Sequence, residues 1–237
     1  MNHIFFTDAY LAHLRAVFFG GDNVLVRGQC IRELTFVNWT LLDVRNSHID
    51  WSYTSFPERQ PVYHSYAQKE QSWYLTGDRR ANRAPSEFWL KLANKDGLIN
   101  SNYGHLVLKE RKYPGSLCAY EHVVQLLMAD RQSRQAVMHY NRPSHYLNQS
   151  KDIPCTLTAQ VVIRNNKLSM IVSQRSCDLW FGMPYDVPWH CYLIRSLARD
   201  LGVETGFFHH SIGSLHIYER DFDRVRRTLG VATTPAV

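Results

Sequence analysis

The chain has 237 residues, 45% hydrophobic and 13% aromatic, enough for one large core; no linker divides it, so a single domain over 1–237 is expected. Five cysteines without a CxxC argue against a disulfide framework and a zinc site, and Asp8, His13 and Arg15 inside the apolar N-terminal run argue against a signal peptide or membrane span. A reducing cytoplasm is therefore the expected compartment. A formal charge of +6 favours an anionic ligand, but the cations are dispersed, so direct nucleic-acid binding is not expected.

In chain order, Thr7 is placed to N-cap a helix reaching about Phe19, with Leu11, Leu14 and Phe18 on one face and Gly20-Gly21 ending it. Val24 to Val44 reads as strand. Helices are expected over His64 to Leu75, from Pro85-Ser86 through Trp89 to Asn94, and over Tyr120 to Ala129. "LTAQVVIR" and "KLSMIVSQR" flank Asn165-Asn166, with Leu168, Met170 and Val172 alternating against polar neighbours, which predicts a hairpin. Trp189 to Leu201 is expected to be a helix closed by Gly202, and "IGSLHIYERDF" a strand running into a helix. Strands and helices mix without a βαβ repeat, so the expected class is α+β.

"DIPCT" poses the functional question. Cys155 follows a proline where a loop becomes a strand. It is either a small buried hydrophobe or a nucleophile. The surrounding stretches decide between them. "KEQSWYLTGD" (69–78), "SRQ" (133–135), "IPCT" (153–156), "QRSCDLWFGMPYD" (174–186) and "HHSIGSLHIY" (209–218) occur in the order and spacing of the thymidylate synthase superfamily. "GLINSNYG" (97–104), Thr156 and "GSLHIY" more closely resemble its phage deoxycytidylate hydroxymethylase branch.

The resemblance implies a large mixed sheet flanked by helices, dimerising through the sheet. It implies 5,10-methylenetetrahydrofolate as one-carbon donor and a pyrimidine nucleotide as substrate. Thiolate addition to C6 makes C5 of the ring nucleophilic, and Cys155 matches that thiol. Glu70 matches the family's proton-handling glutamate, and Tyr103 would assist proton removal at C5. Arg175 and Ser176 match the phosphate-binding pair. Arg134 matches an arginine supplied across the dimer, with Gln135 where a second Arg is usual and Arg131 or Arg142 as compensation. Arg27 is a further phosphate candidate. His216 and Tyr218 match the pair that reads the sugar 3′-hydroxyl. Asp178 and Gly182 match folate-contacting positions; Trp89 and Phe181 are folate-packing or core aromatics. His209 and His210 beside His216 raise a metal site, but the spacing fits no common zinc pattern, so none is expected.

Asp186 departs from the synthases, which carry Asn there. An amide complements uracil. A carboxylate accepts from the cytosine amino group and shares a proton with N3. Thr156 and Leu92 replace a His and a Trp of the synthases, and both changes favour water over hydride at the last step. The expected reaction converts dCMP to 5-hydroxymethyl-dCMP. Reductive methylation is the runner-up, supported by a C-terminal "TTPAV" that resembles the synthases' lid. Use of CMP, and a non-catalytic nucleotide- or RNA-binding descendant, are the other readings.

Overall fold

The computed structural model describes residues 1–111, 115–149 and 151–231; TTPAV lies outside them. Eight strands form one mixed sheet: β1 (Asn2–His3), β2 (Asp22–Val26), β3 (Gln29–Leu41), β4 (Val137–His139), β5 (Thr156–Arg164), β6 (Lys167–Gln174), β7 (Cys177–Asp178) and β8 (Glu204–Tyr218). The order is β1-β3-β8-β6-β5-β4, with β2 on β3 and β7 on β8. β8 runs antiparallel to β3 and parallel to β6. The helices are α1 (Phe6–Gly20), α2 (Arg59–Thr76), α3 (Ala119–Ala129), α4 (Met183–Asp200) and α5 (Phe222–Leu229). The expected α+β architecture is present.

The predicted hairpin is β5–β6. Asn165 and Asn166 both take positive φ (49° and 57°), which matches the right-handed twist of the flanking strands. The 24–44 stretch is a second hairpin, because Arg27 and Gly28 (φ 50° and 77°) turn the chain tightly after Val26. Thr7 does not cap α1. It is buried in the first turn, and its hydroxyl accepts from the Asp50 amide at 2.9 Å, while Phe5 holds the cap position with no side-chain bond. Trp89 lies in a five-residue 3₁₀ turn, Glu87–Lys91, instead of a full α-helix.

α4 starts six residues earlier than expected, with Pro184 in its first turn, where a missing N–H costs nothing. Pro188 cannot bond the Pro184 carbonyl four residues back. The Tyr63 hydroxyl of α2 donates to that carbonyl at 3.3 Å, so the gap in α4 is closed from the neighbouring helix. α4 is buried along most of its length against β6 and β8. β8 starts eight residues before Ile212. In it Phe208, His210 and Ile212 face the core. The opposite sheet face carries partly exposed Ile171 and Phe207, and Phe36 stands out with φ 55° where the β3–β8 pairing is interrupted without a change of register.

Candidate active site

Five segments meet at one end of the sheet: α2 with Glu70, the loop before β5 with Cys155, the end of β6 with Arg175 and Ser176, the first turn of α4 with Asp186, and β7–β8 with Asp178, His216 and Tyr218. The Arg175 amide donates to the Cys155 carbonyl at 2.9 Å. The Arg175 guanidinium bonds the Ile153 carbonyl at 2.7 Å and lies 3.7 Å from the Cys155 sulfur. Burial pushes the Cys155 thiol up to about 11; Arg175 opposes that rise, and Asp186, Asp152 and Asp178 add to it. The resting sulfur is therefore a neutral thiol with a cation at contact distance.

Glu70 and Asp186 are both enclosed. Burial pushes Glu70 up to about 8, helped by the charge of Asp186. It pushes Asp186 up to about 7, against a bond from Gln174. The Glu70 carboxylate accepts from Tyr66 at 3.2 Å, one turn back on α2, and Tyr66 in turn accepts from the Trp89 indole at 3.3 Å. Trp89 is buried against Trp73, with ring centroids 4.9 Å apart. A group with a raised folded-state pKa stabilises the fold below its unfolded pKa and loses that contribution as pH rises through the folded value. Glu70→Gln is thus expected to melt higher than the parent above about pH 8, with the gap closing toward pH 4–5. Thermal melts across that range check it; a gap that widens toward acid contradicts the placement.

One amide connects the centre. Gln174 Nε2 donates to Asp186 Oδ2 at 2.9 Å and to Thr156 Oγ1 at 3.0 Å, while its Oε1 lies 2.8 Å from His210 Nε2. The Thr156 amide donates to the Tyr103 hydroxyl at 3.2 Å. Tyr103 is buried and stacks on Tyr74 (5.4 Å, 21°). Gly104 makes that contact feasible: a Cβ there would fall 1.6 Å from the Tyr74 carbonyl oxygen. Asn102 is a structural bracket, donating to Asp78 and Trp73 carbonyls. Asp152 holds this loop to the Cys155 loop, accepting from the amides of Asn100 (2.6 Å) and Ser101 (2.8 Å) and from the Ser101 hydroxyl.

Asp178 Oδ1 accepts from the Trp180 and Phe181 amides (2.7 and 3.2 Å), which fixes its carboxylate. Gly182 closes that turn onto the Asp178 carbonyl, 2.9 Å from any added Cβ. Phe181 is 53% exposed beside it. His216 packs edge-on to Tyr218 at 5.1 Å, and the charge of Arg27 reaches the Tyr218 phenol. Arg134 is exposed and its side chain has no hydrogen bond or ion pair among the described residues. Of the two arginines expected to compensate, Arg142 pairs with Glu110 and Arg131 donates to the Leu201 carbonyl. His209 and His210 face opposite sides of the sheet, so they cannot chelate together. Sequence reasoning missed Tyr66, Gln174 and Asp152, and weighed His210 only as a metal ligand. Tyr66 was findable four residues before Glu70, and Gln174 adjoins the quoted Arg-Ser.

A family model described as thymidylate synthase matches residues 23–236. Deoxycytidylate 5-hydroxymethyltransferases of enterobacteria phages T4, T2 and T6 are each 33% identical over 171 residues, 66% of this chain and 68% of theirs. The protein is a folate-dependent transferase. The chain belongs to the thymidylate synthase family.

Proposed function

We propose that this protein is a dCMP 5-hydroxymethyltransferase of one catalytic domain, using 5,10-methylenetetrahydrofolate and water to make 5-hydroxymethyl-dCMP and tetrahydrofolate. The observation that carries the reading is Asp186: an enclosed carboxyl, pushed up to about 7 by burial, stands where the synthases carry an amide, and we assign it to reading the base. A group that can hold or release a proton at pH 7 suits cytosine, whose amino group donates and whose N3 accepts.

In this reading Cys155 adds to C6 as its thiol proton passes to solvent water, Arg175 offsets the negative charge forming on the sulfur, and the Asp186 proton passes to N3 as the ring accepts the thiolate. Tyr103 and Glu70, a neutral acid at pH 7 with its carboxyl pushed to about 8, manage protons at C5 and at the added carbon. Glu70→Gln would then cost about a hundredfold or more in turnover. Arg175, Ser176, Arg134 and Arg27 hold the phosphate, and His216 and Tyr218 the sugar. The folate supplies the one-carbon unit. A fixed carboxylate (Asp178) next to an exposed ring (Phe181) fits a flat heterocycle with N–H donors, with Gly182 and Trp89 shaping that wall.

Incubating the enzyme with methylenetetrahydrofolate and dCMP, CMP or dUMP tests the reading. A hydroxymethyl adduct of dCMP by mass spectrometry, with tetrahydrofolate released, is the expected product. A methyl adduct with dihydrofolate would replace it by the reductive reading, and turnover of dUMP alone would overturn it. No helix among the described residues is long and apolar enough to cross a membrane, and the cytoplasm is the proposed compartment, that of the host if the protein is phage-encoded. The enzyme is further proposed to be a homodimer through the sheet face bearing Phe36, Ile171 and Phe207, with Arg134 reaching the partner's phosphate. Sedimentation should give a dimer; a monomer at working concentration would rule that out.

A further inference from the structure

His210 is a buried titratable group that the proposed chemistry leaves unused. Its ring lies inside the core between Trp39 and Phe208, with centroids at 5.9 and 5.4 Å. Nε2 is 2.8 Å from Gln174 Oε1. Nδ1 is buried and has no hydrogen-bond partner among the described residues.

That asymmetry selects the tautomer. With the proton on Nδ1, a buried N–H would lack an acceptor, and the Nε2 lone pair would face the carbonyl oxygen. With the proton on Nε2, the bond to Gln174 forms and only an acceptor stays unmet, which costs less. The charged ring would also bury an unmatched Nδ1–H. Burial holds His210 well below the usual imidazole range, and His190, His13 and His209 push in the same direction.

The tautomer then orients the amide. Gln174 must present Oε1 to His210, so both Nε2 protons point the other way, to Asp186 Oδ2 and Thr156 Oγ1. Turned over, the amide would set its NH₂ against the His210 N–H and its carbonyl against Asp186. Oδ2 therefore receives an N–H. A protonated oxygen is a poorer acceptor than an ionised one, so this N–H keeps the proton off Oδ2.

We propose that His210 is a positioning residue: through Gln174 it keeps Asp186 Oδ2 an acceptor, so that the proton shared between Asp186 and a bound cytosine rests on N3 of the base. A ring protonated at N3 is the better acceptor for the Cys155 thiolate. The inference rests on the reading of Asp186 as the base-facing carboxyl. No bond to carbon is made or broken in this step; one proton leaves the carboxyl and arrives at N3.

Two measurements on the full-length protein test it. Histidine side-chain ¹⁵N NMR without substrate, with the His210 signals identified by their loss in His210→Gln, should show a neutral ring protonated at Nε2 at pH 7. A proton on Nδ1, or a charged ring, overturns the relay whatever the enzyme's substrate. With dCMP, His210→Phe should lower kcat about tenfold and leave KM within about threefold, the scale of one lost orienting hydrogen bond. His210→Gln, whose amide can donate from about the Nε2 position, should recover kcat to within about threefold of the parent on the same scale. An unchanged kcat in the Phe variant, or a loss that Gln does not rescue, overturns the proposal. If His210→Phe does not fold, the tautomer and the Gln variant decide. A parent enzyme inactive on dCMP would sink the function assigned above, and the tautomer would still judge the relay.

Discussion

Replacing Cys155 by Ser is expected to lower turnover at least about ten-thousandfold, measured as tritium release from [5-³H]dCMP, because covalent catalysis fails as a unit once its nucleophile is gone. The side chain keeps its size and its place at the mouth of β5, so dCMP binding should stay within about threefold of the parent; the phosphate and sugar contacts do not pass through the sulfur. The thiol's pKa explains the expected size of the effect. At about 11 the sulfur is neutral at rest, and a serine hydroxyl in the same enclosed place would be far harder to ionise. In the proposed mechanism the thiolate forms as it attacks, with Arg175 at 3.7 Å as the nearest compensating charge. A Cys155→Ser enzyme with more than about 1% of parental activity would show that the ring is activated without covalent addition.

The parts of this enzyme legible in the sequence are those where local chemistry and spacing agree. The Asn165-Asn166 turn declares itself, because few side chains tolerate two successive positive φ values. Cys155, Arg175 and Asp186 stand out because their stretches occur in a fixed order. The residues that stayed hidden act through tertiary contacts. α4 reaches back to Met183, and Tyr63, far away in sequence, takes up the carbonyl that Pro188 leaves free. A sequence containing Pro184 and Pro188 reads as a turn for the same reason. Thr7 has the chemistry of a cap, but the Asp50 amide binds its hydroxyl instead. Gln174 and His210 look like alternating strand residues. Their pairing appears only when β6 and β8 lie side by side, with Val172 opposite His210 and Gln174 two residues further on. Polar groups on the buried face of a central sheet carry no periodic signature distinguishing them from packing.

Asp186→Asn is the substitution expected to change what the enzyme does rather than how fast it does it. The Gln174 N–H that faces Oδ2 at 2.9 Å would orient the new amide, drawing its carbonyl oxygen to that side and leaving its NH₂ in the place of Oδ1. An oxygen that accepts from N3–H beside an NH₂ that donates to O4 is the complement of uracil. Cytosine would meet an unprotonatable acceptor at N3 and a donor facing its own amino group. Sites built to pair a polar group reject its mismatch strongly, so kcat/KM for dCMP should fall about a hundredfold or more while dUMP becomes a substrate. The pH profile gives a second signature. Asp186 sits at about 7, so the parent's kcat/KM for dCMP should decline as pH rises through that value and the carboxyl loses the proton that N3 needs. The Asn variant should lack that limb and keep only the one near 8 assigned to Glu70. Both carboxyls have raised folded-state values, so each stabilises the fold at acid pH and loses that contribution on the way up. Asp186→Asn should therefore also flatten the decline in melting temperature between about pH 4 and 7. A variant that still ignores dUMP, with the limb at 7 intact, would place the base reader elsewhere in the site.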